Sequence, residues 1–200
     1  MSTDDREDQI AFRGGVRYVH RLLPFKLSTP SASADVSIRA DSTYMITGGL
    51  GALGLSTALW MVKQGARHLV LSGRNEPSPE VMHLLEQMSD EGAEVVIAQA
   101  DVSDPDQVEH VIKRIEQNMP PLRGVIHAAG VLDDGSLLNL DTTRMKTVMA
   151  PKVDGTWNLH AATVNIPLDF FVLFSSVVSV LGSPGQGNYA AASAYLDAMA

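Results

Sequence analysis

The chain has no cysteine, which excludes thiol nucleophiles, disulfides, iron–sulfur clusters and cysteine-based zinc sites. Positive charge is scarce: 15 Lys and Arg stand against 23 Asp and Glu, a net charge of −8. The imbalance lies in the main body, because residues 1–40 hold six bases and five acids while residues 41–200 hold nine and eighteen. Such a surface repels phosphate backbones, so a nucleic-acid partner is not expected. Long apolar runs are missing too. Stretches such as Phe170 to Phe174 fall far short of the ~20 residues of a bilayer span, and the acidic MSTDDREDQ start does not read as a secretory leader. No histidines pair at metal-ligand spacing and no HExxH occurs, so no metal site is expected. The expectation is a cytoplasmic chain without a membrane partner.

What is present fits a globular chain. It has 200 residues, 45% hydrophobic and 19% charged, enough for one domain plus an appendage. A chain of this size buries roughly 70% of its unfolded surface and needs no staple. Residues 1–41 carry a short strand-like stretch, IAFRGGVRYVHRLLP, followed by the linker-like KLSTPSASADVS. Residues 42–200 alternate short apolar runs with helical patterns. The strand candidates are 43–47, 67–73, 94–101, 123–130 and 169–177, each nearly continuous in Val, Ile, Leu, Phe or Ala. That is the pattern of strands buried on both faces. Gly65 closes the first helix, Ser78-Pro79 opens the second, and Ser103 or Asp104 before Pro105 opens the third. The predicted class is α/β, a Rossmann-like doubly wound parallel sheet with helices on both faces.

After the first strand comes Thr47-Gly48-Gly49-Leu50-Gly51-Ala52-Leu53-Gly54, which contains GxGxxG and runs into a helix. Glycines there allow a sharp turn and close approach of the backbone to a pyrophosphate at the helix N-terminus. The second strand ends in Ser72-Gly73-Arg74, without the acid that holds the ribose hydroxyls of NAD. Arg74 suits a 2′-phosphate, which points to NADPH; the alternative is a solvated surface arginine. Asp101-Val102 ends the third strand, where a carboxylate can bond the adenine amino group or instead cap the next helix. His127-Ala128-Ala129-Gly130 ends the fourth, with small residues beside the cofactor ribose and a histidine read as structural.

The fifth strand ends at Ser175-Ser176, and Tyr189 follows thirteen residues later on an Ala-rich helix after GSPGQG. A serine at a strand end and a tyrosine on the next helix can converge on one carbonyl oxygen. A phenol needs a nearby cation to act as an acid near neutral pH, and Lys152 is a candidate. Spacing alone leaves Tyr195 and other serines open.

Together, TGGLGALG, LVLSGRN, ADVSD, GVIHAAGVLDDG, APKVDGTWNLH and FVLFSSVVSVLGSPGQGNYAAASAYLDAMA resemble the catalytic subdomain of a polyketide synthase ketoreductase, a member of the short-chain dehydrogenase/reductase superfamily. EDQIAFRGGVRYVHRL resembles the end of that family's structural subdomain. The resemblance implies that Tyr189 protonates the ketone oxygen, Ser176 hydrogen-bonds it, and Lys152 binds the nicotinamide ribose. The polyketide branch carries Asn where this chain has Ser193, whose shorter reach implies slower turnover. Leu132-Asp133-Asp134 matches the LDD element of B-type ketoreductases, and Leu181 replaces the Trp that marks the A type. The implied reaction is NADPH-dependent reduction of a β-ketoacyl thioester to its D-β-hydroxy form. The substrate would be carried on the phosphopantetheine of an acyl carrier protein, among other polyketide synthase domains. The resemblance also implies that later strands and a lid helix of the family are missing at the C-terminus. That leaves a non-catalytic, nucleotide-binding remnant as the alternative; an epimerase or dehydratase is disfavoured by the placement of Lys152.

Overall fold

A computed structural model describes residues 7, 9–19, 21, 23, 24 and 37–200. The chain divides into two compact units, Met1–Asp35 and Val36–Ala200. In the first, β1 (Ile10–Arg13) and β2 (Val16–Val19) form an antiparallel hairpin. The sequence suggested one strand-like stretch. The chain folds back because Gly14 and Gly15 both take positive φ, 57° and 78°, as the tightest two-residue hairpin turn demands. Residues 26–36 of the expected linker lie outside the described residues.

The second unit is a five-stranded parallel sheet in the order β5-β4-β3-β6-β7. Its strands are β3 (Thr43–Thr47), β4 (His68–Gly73), β5 (Glu94–Gln99), β6 (Leu122–His127) and β7 (Phe170–Leu173). The predicted fold class is the observed one. The strand order reverses between β3 and β6, so a crevice opens at their carboxyl ends. One face of the sheet packs through Tyr44, Ile46, Leu69 and Leu71 on Ala58, Met61 and Met88, residues of α1 (Ala52–Lys63) and α2 (Pro79–Asp90). The other packs through Met45, Val70 and Val125 on Val111, Ile112 and Leu159, from α3 (Pro105–Asn118) and α4 (Thr142–Thr163). Both faces are therefore apolar, and alternation is absent from the strands.

Local chemistry sets the helix ends. Ser78 Oγ accepts from Val81 N before Pro79, and Asp104 accepts from the amides of Asp106 and Gln107 before Pro105. Asp104 is thus the cap of α3, and the helix-capping alternative for Asp101 fails. Three strands are shorter than the apolar text: they end at Gln99, His127 and Leu173, and residues following the first two line the crevice. The chain finishes with α5 (Val178–Leu181) and α6 (Gly187–Met199); α6 packs along α4. Among the described residues no helix is long and apolar enough to cross a membrane.

Candidate active site

The turn after β3 is built from glycines with no room for a side chain. Gly48 has φ 64°, and a Cβ on it would lie 2.7 Å from the Ala128 carbonyl carbon and the Ala129 nitrogen. A Cβ on Gly49 would meet Ile46 O at 2.7 Å and Leu71 Cβ at 2.8 Å; one on Gly54 would meet Gly48 O at 2.3 Å. Gly49 and Gly54 thus press the turn onto β4 and α1, and Gly48 lays it on the end of β6. The α1 N-terminus begins at Gly51 with no side-chain cap, leaving its first amides free for an anion.

A cleft of about 370 Å³ opens over this turn. Thr47, Gly48, Leu50, Gly51, Ser72, Arg74, Asp101, Val102, Ala129 and Gly130 all line it, residues drawn from the ends of β3, β4, β5 and β6. Gly49, Leu53, Gly54 and Ala128 are not among its lining residues; Leu53 is exposed, and Ala128 serves as the floor under Gly48. Asp101 is held by Ser103, whose amide and hydroxyl donate to Oδ1 at 2.9 and 2.7 Å, while Gln107 Oε1 accepts from its backbone amide at 2.9 Å. Gln99 steadies Arg74 by donating to its carbonyl at 3.0 Å. An uncapped helix start, a cradle that admits no Cβ and an arginine on the wall fit a dinucleotide phosphate chain.

His127 is buried between the cleft and α4. Its Nε2 faces Pro151 O at 2.9 Å and its Nδ1 faces Thr47 Oγ1 at 2.6 Å. A carbonyl only accepts, so Nε2 carries the proton and Nδ1 receives the Thr47 hydroxyl. Burial, aided by the Lys152 charge and opposed by the Pro151 bond, lowers its pKa to about 4. This imidazole is structural.

Lys152 is buried on α4. Its Nζ donates to Phe174 O at 2.9 Å and lies over the Tyr189 ring, 4.8 Å from its centre. Burial lowers the lysine pKa, and attraction to Asp197 opposes the shift. Gly130 links this group to the cleft, since a Cβ there would touch Lys152 Cε at 3.5 Å. Ser176 is half-buried in the turn after β7, and α5, which follows it, packs on α6, the helix of Tyr189. Ser193, one turn beyond Tyr189, is fully buried, and its hydroxyl has no hydrogen-bond partner among the described residues.

The Leu132-Asp133-Asp134 segment is tied to the start of α6. Asn188 Nδ2 donates to Asp133 O at 2.8 Å, Gln186 Nε2 to Asp134 Oδ2 at 3.0 Å, and Gly135 N to Gly185 O at 2.8 Å. Arg144 holds its other side: Nε donates to Asp133 Oδ1 at 2.8 Å, and one terminal nitrogen to the same oxygen and to Asp134 O, each at 2.5 Å. Sequence reasoning missed Arg144, Gln186 and Asn188. Asn188, beside Tyr189 and just after a Gly-rich loop, was open to notice, whereas nothing in the spacing marks Arg144.

The family model described as KR domain matches residues 42–200. This chain belongs to the polyketide synthase ketoreductase family. Ketoreductase domains are oxidoreductases of the short-chain dehydrogenase/reductase type and bind a nicotinamide cofactor. The chain is 44% identical over 191 residues to a phenolphthiocerol synthesis polyketide synthase type I of Mycobacterium marinum, covering 94% of this chain and 9% of that protein. It is 43% identical over 159 residues to a mycocerosic acid synthase-like polyketide synthase of Mycobacterium tuberculosis, covering 80% and 8%. The chain therefore spans less than a tenth of the length of these curated relatives. Among solved structures, a ketoreductase domain from the bacillaene assembly line matches with TM-score 0.84 and 36% identity, covering 96% of this chain and 45% of that one. A structure described as A-type ketoreductases from a modular polyketide synthase matches with TM-score 0.88 and 35% identity, covering 96% and 41%.

Proposed function

We propose that residues 42–200 form the catalytic subdomain of a ketoreductase that uses NADPH to reduce a β-ketoacyl thioester, with residues 1–41 the end of its structural subdomain and a linker. The observation that carries this reading is the position of Lys152 over the Tyr189 ring, joined through Gly130 to the cleft that holds the glycine turn and Arg74. When bound, the cofactor supplies a hydride to the β-carbon. The chain supplies the rest. The first amides of α1 receive the pyrophosphate, Arg74 pairs with the 2′-phosphate, and Asp101 faces the adenine. Ser176 donates a hydrogen bond to the ketone oxygen, and Tyr189 gives that oxygen its proton as negative charge develops there. The Lys152 ammonium bonds the nicotinamide ribose and stabilises the charge left on the phenol oxygen. Ser193, in place of an amide, supports this proton transfer over a shorter reach.

The Leu132-Asp133-Asp134 segment, anchored to Asn188 immediately before Tyr189, supports a B-type assignment with a D-β-hydroxyl product; Leu181 in place of a tryptophan agrees. The substrate arrives on the phosphopantetheine arm of an acyl carrier protein belonging to a polyketide synthase, and the protein works in the cytoplasm.

The test follows NADPH absorbance with a bicyclic decalone as surrogate ketone. Turnover that falls by at least ~100-fold in Tyr189→Phe supports the reading. Stabilisation by NADPH without turnover in the parent chain instead makes it a nucleotide-binding remnant. An L alcohol from a β-ketothioester refutes the stereochemical assignment.

A further inference from the structure

Ser176 lies outside every strand and helix, between the end of β7 and the start of α5, yet the proposed chemistry requires its hydroxyl at a fixed point. Its carbonyl accepts from Ser179 N at 3.0 Å, but its hydroxyl is not fixed by its own bonds: Oγ receives only a long contact from Val178 N at 3.4 Å. Its neighbours are held instead. Phe174 O accepts a hydrogen bond from the Lys152 ammonium. Ser179 Oγ lies 2.5 Å from Asp197 Oδ2 and 2.8 Å from Ser176 O; with one proton to give, it donates to the charged and nearer carboxylate. The neighbouring hydroxyls of Ser175 and Ser179 hold the Asp197 carboxyl below its ordinary pKa. Ser175 Oγ donates to Ser193 O, also on α6, at 3.0 Å.

The residue before Ser176 is thus held by the Ser193 carbonyl, and the residue three after it by Asp197. Asp197 lies on α6, about two turns beyond Tyr189. Helix stability gives no reason for an acid there, because a negative charge in the last turn opposes the helix dipole. We infer that Asp197 is a positioning residue for the reaction, clamping the Ser175–Ser179 turn to α6 so that Ser176 and Tyr189 keep one separation. The inference rests on the reading of Ser176 given above, and its charge also attracts the buried Lys152.

The experiment is a double-mutant cycle on the full chain, read with the surrogate ketone. Asp197→Ala lowers kcat on the order of 10- to 100-fold, the loss expected from displacing a reacting group. NADPH affinity changes by much less than kcat. In a Ser176→Ala background the same substitution has little further effect, because its action runs through Ser176. Asp197→Asn, which keeps an acceptor oxygen, recovers part of the loss. Equal losses in both backgrounds overturn the inference. Hydrogen–deuterium exchange supplies a readout independent of turnover: Asp197→Ala speeds exchange across residues 174–182 and leaves β3 and β6 protected, and unchanged protection of 174–182 overturns the clamp. If Ser176→Ala leaves turnover intact, the assignment of Ser176 fails, while the exchange result still judges the clamp.

Discussion

Thr47 donates its hydroxyl proton to Nδ1 of His127 across 2.6 Å, which leaves the Nε2 proton to bond the Pro151 carbonyl. The strand bearing the glycine turn, the next strand of the sheet and the helix bearing Lys152 are joined through one neutral imidazole.

That imidazole predicts a pH dependence. The folded pKa of about 4 lies below the ordinary 6.5, so on acidification the unfolded chain takes up a proton that the folded chain refuses. The contribution to stability is complete above pH 6.5 and declines as pH falls toward 4, by on the order of 3 kcal/mol. Urea unfolding of the parent and His127→Gln across pH 4–7 checks it. The difference between the two stabilities should shrink with acid, and parallel profiles would show that His127 is not held neutral.

Arg144 should govern selectivity more than stability. Its pair with Asp133 is about a third exposed on both sides, and such pairs contribute little to folding. The guanidinium nevertheless holds the loop that faces the start of α6. Arg144→Met is expected to leave the melting temperature nearly unchanged while lowering both turnover and the enantiomeric excess of the alcohol. Chiral chromatography of the product decides it, and an unchanged ratio sinks the idea.

Gly54 sits where alanine is normally welcome. Inside an ordinary helix, Gly→Ala gains about 1 kcal/mol. Here the added Cβ meets Gly48 O at 2.3 Å and Gly49 Cα at 2.6 Å, both backbone atoms of the phosphate turn. Gly54→Ala should reverse the sign, destabilising by ~1–3 kcal/mol and weakening NADPH binding. Thermal unfolding with and without NADPH measures both, with the exposed Ser56→Ala as control.

Ser193 carries a buried hydroxyl without a partner among the described residues. Deleting an unsatisfied polar group relieves its desolvation, so Ser193→Ala should gain about 1 kcal/mol. Ser193→Asn, which restores the amide of the polyketide branch, should raise turnover. A destabilised alanine variant shows that the hydroxyl is in fact bonded, and an unchanged rate in the asparagine variant removes this residue from the proton path.

The sequence revealed most clearly what local chemistry dictates. Apolar runs gave the five parallel strands, Pro79 and Pro105 gave the starts of α2 and α3, and the glycine turn gave the cleft, because each depends on neighbours in the chain. Strand ends were less legible. Ala100, Asp101 and Ser175 are as strand-like in text as the residues before them, and only the reach of adjacent strands ends the ladder. The Gly14-Gly15 turn had a readable signal in two glycines between alternating residues. The grip of Arg144 on Asp133 and of Asp197 on Ser179 had none. Those contacts arise when loops and helices from different parts of the chain meet, and no spacing encodes them.

The strand order has a consequence for recombination between relatives. Residues up to Gly130 carry the glycine turn, Arg74 and Asp101, while residues from Val131 carry Asp133, Arg144, Lys152, Ser176, Tyr189 and Asp197. A crossover between the two halves keeps the Arg144–Asp133 and Asp197–Ser179 pairs within one parent. Two bonds that such a chimera must remake across the seam are His127 to Pro151 O and Asn158 to Val102 O. Both use backbone carbonyls, which any parent supplies, whereas the Arg39–Asp169 ion pair at 2.6 Å also crosses the seam and needs parents that share both side chains. Coenzyme preference and product handedness should therefore be separable by exchanging halves, each travelling with its own segment of chain.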